Sequence, residues 1–343
     1  MKYDAIIAGA SFAGLAVARV LKGNILLIDR KSEIGDGQTS TCCSYEHFIK
    51  KIGCEEAILQ VIDVEILHCG SEDIVFHLNY PLATIDYEKF CQLLYKKGNT
   101  QFLSAKILGI EGDKVLTDKG NFQSECIVDA SGWQAVLASS IRNDFVPKNG
   151  KSFGIETTPI YKNKAIEIWA NPRIMPKGVL WIFPCGGFSR LGIASYLGKT
   201  NIKEGLESFV KNFGLKITEE LHGGFFPSKF REPTLGNIFL VGDSAGQCLP
   251  LTGEGIRPAI YFGKKCGEII QQIINKEKTR EQGLKDYRDF AMSHKKYYTF
   301  LLALQNILTN IPNYLVVRFA KFVNLKPVFK YCEKKYIDLA DLN

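Results

Sequence analysis

The chain has 343 residues, 46% hydrophobic and 23% charged, which excludes a disordered polymer and leaves room for one large or two interleaved domains. Its formal charge of +7 lies in the last 80 residues, where 15 Lys and Arg face 8 Asp and Glu, so residues 1–263 are neutral overall. Ten cysteines without C-x-x-C pairs, no apolar run of about 18 residues and no secretory leader point to a cytoplasmic protein with reduced thiols.

Lys2 to Ala8 is an apolar strand signal followed at once by GASFAG, with Gly9, Ser11, Ala13 and Gly14, and then by an amphipathic helix to Val20. Asn24 to Asp29 is a second strand ending in an acid, with Arg30 after it. A glycine turn between strand and helix, with an acid twenty residues after Gly9, is the pattern a dinucleotide fold uses for a pyrophosphate and a ribose hydroxyl. Ser11 replaces the middle glycine of that pattern and keeps a small side chain there.

Residues 30–62 read as a polar turn, the Cys42–Cys43 pair and two short helices; residues 63–79 read as two strands, and Asp86 to Lys97 as a helix. Three short strands surround the Gly112–Asp113 turn, and Glu125 to Gly132 is a buried strand running into DASG. Strand signals dominate from Phe153 to Tyr196, and a helix follows near Lys203 to Phe213. Ile238 to Gly242 is another buried strand, with Asp243 at its carboxyl end, where open α/β sheets place their ligands. Pro250, Gly253, Glu254 and Gly255 then lead into a helix from Ile256, whose start offers backbone N–H groups to an anion. The segment from Lys295 to Phe322 mixes aromatics, aliphatics and lysines, as suits either helices lying on a membrane or two packed helices with a solvated basic face. His47, His68, His77, His222 and His294 show no ligand spacing, so no metal is expected, and nothing marks a nucleic-acid partner.

Three ordered motifs, GASFAG, DASG at Asp129 to Gly132 and GDSAG with PLTGEGI at Gly242 to Ile256, resemble those of FAD-dependent oxidoreductases with the para-hydroxybenzoate hydroxylase fold. Within them, VLWIFPCGGFSRLGIA is similar to the aromatic signature of the geranylgeranyl reductases, with Trp181, Phe183 and Pro184 followed eight residues later by Gly192. Val179, Ala194, Ser131 and Tyr87 depart from the family's usual residues.

The resemblance implies an α/β fold: a Rossmann-like FAD-binding domain of the glutathione reductase type, assembled from residues 1–62, 85–135 and 225–275. A mainly antiparallel substrate sheet would be inserted as residues 63–84 and 136–224, with a helical segment at 276–343. It also implies that GASFAG, Asp29, Arg30, Ala130 and Gly132 take the ADP half of FAD and that Asp243 with Gly242, Pro250 and Gly253 to Ile256 takes the flavin half. Trp181, Phe183, Pro184 and Gly192 would then wall an apolar tunnel, although aromatics on a strand are as often simple core. Cys42 and Cys43 fall where such reductases carry a cysteine near the flavin ring, which implies a catalytic thiol that helps place a proton on the alkene carbon opposite the hydride; a buried cysteine acting as a small hydrophobe is the other reading.

The expected activity is saturation of C=C bonds in geranylgeranyl chains, with a prenyl lipid as substrate, NAD(P)H or a small redox protein as electron donor, and peripheral membrane contact. A monooxygenase of the same fold acting on an apolar substrate, and a non-catalytic flavin or lipid carrier, are the alternatives.

Overall fold

The computed structural model describes residues 2–38, 41–96, 100–217 and 221–342, and the chain divides into two compact units. The first comprises Met1–Gly37, Glu88–Lys148 and Pro227–Leu301. Its sheet runs in the order Thr234–Leu235, Ile238–Leu240, Gly120–Asp129, Lys2–Ala8, Ile25–Asp29, Gln101–Ser104. From Ile238–Leu240 onward all neighbours are parallel, which requires cover on both faces and explains the unbroken apolar runs AIIA and ILLI. One face packs Ile6, Leu26, Ile28, Ile127 and Leu240 against Leu137, Ala138 and Phe145. An antiparallel meander, Ile107–Glu111 and Lys114–Thr117, leads into Gly120–Asp129.

The helices Phe12–Ala18 and Ile256–Ile274 pack closely because glycines remove the side chains between them. A Cβ at Gly263 would stand 2.8 Å from the Ala13 carbonyl oxygen, and one at Gly267 would stand 2.9 Å from that of Val17. The helix Arg280–Ser293 starts on a capping box between Thr279 and Gln282 and buries Tyr287, whose hydroxyl donates to the Leu240 carbonyl at 2.9 Å.

The second unit comprises Gln38–Tyr87, Asn149–Phe226 and Leu302–Asn343. Its eight strands run in the order His222–Pro227, Lys151–Thr157, Ser189–Ser195, Gly178–Pro184, Ile166–Ala170, Ile58–Cys69, Glu72–Ile85, Cys43–Tyr45. The helix Lys203–Lys211 covers one face, setting Leu206, Phe209 and Val210 on Leu180, Ile182, Leu191 and Ile193. The helix Asn313–Val323 packs Val317 and Ala320 on Cys69 and Ile74 of the long hairpin.

Two element readings change. Residues 58–62, expected within the helical stretch, open the twelve-residue strand Ile58–Cys69, whose partner Glu72–Ile85 dictates the conformation. The strand expected to reach Gly242 stops at Leu240, because Gly242 takes a φ of +67° and opens a 3-10 turn, Gly242–Ala245.

Candidate functional site

The residues singled out in the sequence fall into two groups, one in each unit. In the first unit, Gly9 has a φ of +109°, and a Cβ there would lie 2.2 Å from the Ala130 carbonyl oxygen. A Cβ on Gly14 would lie 1.9 Å from the Gly9 carbonyl oxygen, so the turn and the helix behind it are held at backbone contact. The Asp29 carboxylate accepts from the Ala10 N–H at 2.7 Å and the Lys31 N–H at 3.1 Å, which ties the acid to the glycine turn; Arg30 points to solvent.

In DASG, Asp129 is fully buried and accepts from the Ser131 N–H and hydroxyl, the Ala138 N–H and the Ser244 hydroxyl. The carboxylate therefore joins the ends of two neighbouring strands. Gly132 has a φ of +86° with no atom within 4 Å of where a Cβ would stand, leaving open space at the turn.

A Cβ at Gly242 would meet that of Ala13 at 2.7 Å, so this turn sits directly on the start of the Phe12–Ala18 helix. Asp243 follows, with Arg231 beneath it donating to the carbonyls of Asp243 at 3.2 Å, Trp133 at 2.9 Å and Ser244 at 3.4 Å. Arg231 is buried, and its Nε has no partner among the described residues. Burial pushes the Asp243 carboxyl up to about 6 against the pull of the Arg231 guanidinium, and it draws the guanidinium below its ordinary value. Nothing in the sequence marked Arg231.

Pro250 is buried, and beyond it Leu251 and Gly253 take φ values of +73° and +66°. A Cβ at Gly255 would have the Cys248 Sγ at 3.8 Å and the Asp243 Oδ1 at 4.0 Å as its nearest neighbours, so the carboxylate lies beside the start of the 19-residue helix Ile256–Ile274. That start has no side-chain cap bond. Arg257 is fully buried and makes a two-pronged pair with Glu254 at 2.9 Å on each arm, so these two residues brace the turn. The first unit thus gathers a glycine turn, an acid, a carboxyl with raised pKa and a long helix's N-terminus around the carboxyl ends of parallel strands, an arrangement suited to an extended anionic ligand.

In the second unit, alternation along Gly178–Pro184 turns Leu180 and Ile182 toward the helix-covered core and leaves Trp181 and Phe183, partly exposed, on the other face. Gly192 stands opposite Trp181 in the hairpin, and a Cβ there would lie 2.2 Å from the indole ring. The glycine of the aromatic signature is thus the bed for the tryptophan. The indole N–H donates to the Glu156 Oε2 at 3.1 Å; that oxygen also accepts from the Thr41 hydroxyl at 2.7 Å, and Oε1 pairs with the His222 Nε2 at 2.7 Å. Glu156 is 2% exposed.

Cys42 and Cys43 follow Thr41. The first is buried with a φ of +53°, and the second begins the edge strand Cys43–Tyr45. Arg190, buried on the same face as Trp181, donates to the carbonyls of Thr41, of Cys42 at 3.3 Å and of Ile85 at 3.1 Å. With Thr84 donating to the Pro184 carbonyl at 2.7 Å, these bonds draw the two halves of the sheet together at that end. Trp181, Phe183, Pro184, Gly192 and Cys42 are therefore brought into one neighbourhood. Sequence reasoning missed Glu156, Arg190, His222 and Thr41. The available signal was a charged residue in a strand phase otherwise made of small residues: Glu156 after Ser152 and Gly154 in KSFGIET, and Arg190 before Gly192 and Ala194 in SRLGIAS.

No protein-family model matches the sequence. The digeranylgeranylglycerophospholipid reductase of Methanocaldococcus jannaschii is 23% identical over 340 residues, covering 87% of this chain and 86% of that protein. A geranylgeranyl bacteriochlorophyll reductase-like structure from Thermoplasma acidophilum superposes with a TM-score of 0.85 at 18% identity, covering 98% of this chain and 97% of the other. A structure from Pseudomonas aeruginosa described as a probable FAD-dependent monooxygenase gives 0.71 at 13% identity, covering 96% of this chain and 100% of that one. The fold is that of the FAD-dependent oxidoreductases of the para-hydroxybenzoate hydroxylase type, as the three motifs implied. Within that class the chain is similar over most of its length to digeranylgeranylglycerophospholipid reductases, at 23% and 25% identity for those of Methanocaldococcus jannaschii and Methanosphaera stadtmanae.

Proposed function

We propose that this chain binds FAD and reduces isolated C=C bonds of geranylgeranyl chains on a membrane-lipid precursor. The observation that carries the reading is the near full-length similarity to digeranylgeranylglycerophospholipid reductases. The residues suit the cofactor: Gly132 and Gly255 leave room where a side chain would intrude, and the donor set supplies an acid at Asp29, a carboxyl at Asp243 and an uncapped helix start. Gly9, Ser11, Ala13, Gly14 and Asp29 would hold the ADP half, with Arg30, Ala130 and Gly132 alongside. Gly242, Asp243, Pro250 and Gly253 to Ile256 would hold the pyrophosphate and flavin half. FAD held there would supply the hydride, and the partial positive charge of the Ile256 helix start would favour negative charge on the ring beside it.

Trp181 and Phe183 would bind the prenyl chain on the sheet face away from the Lys203–Lys211 helix. Burial of apolar surface and exclusion of water are their contribution. Arg190, through the Thr41 and Cys42 carbonyls, would fix the Cys42–Cys43 turn against that chain. Electrons would come from NAD(P)H or a small redox protein. Basic and aromatic side chains at the carboxyl end, including Arg318, Phe322, Lys326 and Tyr331, are exposed and would rest on an anionic lipid surface.

The test is anaerobic reduction of the FAD-loaded protein followed by mass spectrometry of added geranylgeranyl glycerophospholipid. The expected product gains two mass units for each bond saturated. Oxygen consumption coupled to oxygen insertion into the lipid would replace this reading with the monooxygenase one.

A further inference from the structure

Glu156 is the most heavily engaged carboxylate on the open face of the second unit's sheet. Three side chains far apart in the sequence, Thr41, Trp181 and His222, converge on its two oxygens. An indole N–H and a hydroxyl on Oε2 leave Oε1 to the imidazole at 2.7 Å, so the acceptor capacity of a 2%-exposed carboxylate is matched to fixed donors. The pairing through Nε2 sets the ring's orientation. The other nitrogen, Nδ1, has no partner among the described residues, and about a quarter of the His222 side chain is open to solvent. A buried carboxylate holding one imidazole nitrogen while the other is left accessible is the arrangement that lets a histidine hold and release a proton at a defined point.

Trp181 links this pair to substrate. Its indole and the His222 ring are bonded to the two oxygens of the same carboxyl group, so Glu156 anchors both, with Gly154, Gly192 and Ala194 keeping the face low around the indole.

We propose that His222, oriented and charge-compensated by Glu156, is the proton donor to the alkene, an inference that rests on Trp181 walling the prenyl site. In the step, the π electrons of the C=C bond take the proton from Nδ1–H of the imidazolium at one carbon. The other carbon would take a hydride, with its electron pair, which FAD would supply when bound and reduced. The imidazolium becomes neutral imidazole, Glu156 remains a carboxylate throughout, and solvent reprotonates the ring through its exposed edge. Glu156 and Thr41 are positioning residues.

The experiment compares FAD-loaded wild type with His222→Gln, His222→Ala and Glu156→Gln in anaerobic single turnovers with geranylgeranyl glycerophospholipid. Lipid affinity is read separately from quenching of tryptophan emission. A proton donor predicts a rate loss of about 100-fold or more in His222→Gln and His222→Ala, with lipid affinity and FAD content within threefold of wild type. It also predicts partial recovery of His222→Ala by added imidazole, which a purely structural role would not give. Nitrogen NMR of the ring in the FAD-free protein reads the geometry without turnover: the Nε2 resonance of His222 moves in Glu156→Gln. Wild-type turnover with unchanged His222→Gln rates, or loss without imidazole recovery, overturns the proton-donor role and leaves the reductase reading standing. A wild-type enzyme that binds FAD and fails to reduce the lipid overturns both.

Discussion

At the residue scale, Asp243 couples a ligand site to a stability cost. Its carboxyl is raised from 3.8 to about 6 by burial, with Arg231 opposing the shift. Below about pH 4 the group is protonated in both folded and unfolded chains and contributes nothing. Between about 4 and 6 the unfolded chain loses the proton first, so stability falls as pH rises, and above about 6 the folded chain carries the full penalty. Two pKa units correspond to ~3 kcal/mol. The FAD-free Asp243→Asn protein is therefore expected to be more stable than wild type at pH 7.5, by up to that amount, with the gain vanishing near pH 4. Urea unfolding at the two pH values checks this. The residues legible in the sequence were those whose role lies in their own backbone or near a strand end: Gly9 and Gly242 with positive φ, Asp29 closing a strand and Asp243 in the turn just beyond one. Glu156, Arg190 and His222 were not legible, because their meaning arises only when four strands bring positions 156, 181, 190 and 222 together with the loop at Thr41.

At the level of elements, the contact between the Phe12–Ala18 and Ile256–Ile274 helices carries the first unit's site, since it holds the glycine turn and the Gly255 helix start to one another. Gly263→Ala places a Cβ 2.8 Å from both the Ala13 carbonyl oxygen and the Ala16 Cβ. Overpacking of this kind costs about 1–3 kcal/mol, and relief by helix separation would also displace Ala13 from Gly242. The expected outcome is a lower unfolding midpoint together with weaker FAD retention. Gly263→Ser should behave alike, and a normal midpoint with normal retention would count against this role for the helix contact. The helices and inner strands could be read from periodicity. Where strands stop was less legible, because the end at Leu240 depends on a single glycine's φ and the strand Ile58–Cys69 on its partner hairpin.

For the whole molecule, the charge asymmetry noted in the sequence acquires a location. The residues that hold the carboxyl-terminal helices to the second unit are specific: Asn79 and Tyr80 donate to the buried Glu333, Asn324 donates to the Val75 carbonyl, and Lys321 pairs with Glu72. Phe322, Leu325 and Tyr331 are left more than half exposed among Arg318, Lys326 and Lys330. No helix among the described residues is long and apolar enough to cross a membrane. Cosedimentation with vesicles of one-third anionic phospholipid should retain the protein, and paired Phe322→Ser and Tyr331→Ser changes should weaken retention about tenfold or more, as expected from losing two aromatic anchors worth at least ~1 kcal/mol each. Equal recovery of both proteins in the supernatant would remove the membrane surface from the reading.

The three tryptophans have an optical consequence. Trp133 sits beside Gly132 in the nucleotide unit with its carbonyl held by Arg231, Trp169 is stacked on His68 at a ring separation of 4.3 Å, and Trp181 gives its indole N–H to a buried carboxylate. An imidazole stacked face to face quenches emission, and a carboxylate hydrogen bond shifts it. The chain therefore carries three intrinsic chromophores, one beside the Gly132 turn, one on the helix-covered face of the second unit's sheet and one on the face proposed for the prenyl chain, so cofactor loading and lipid loading can be timed in the same cuvette without an added dye.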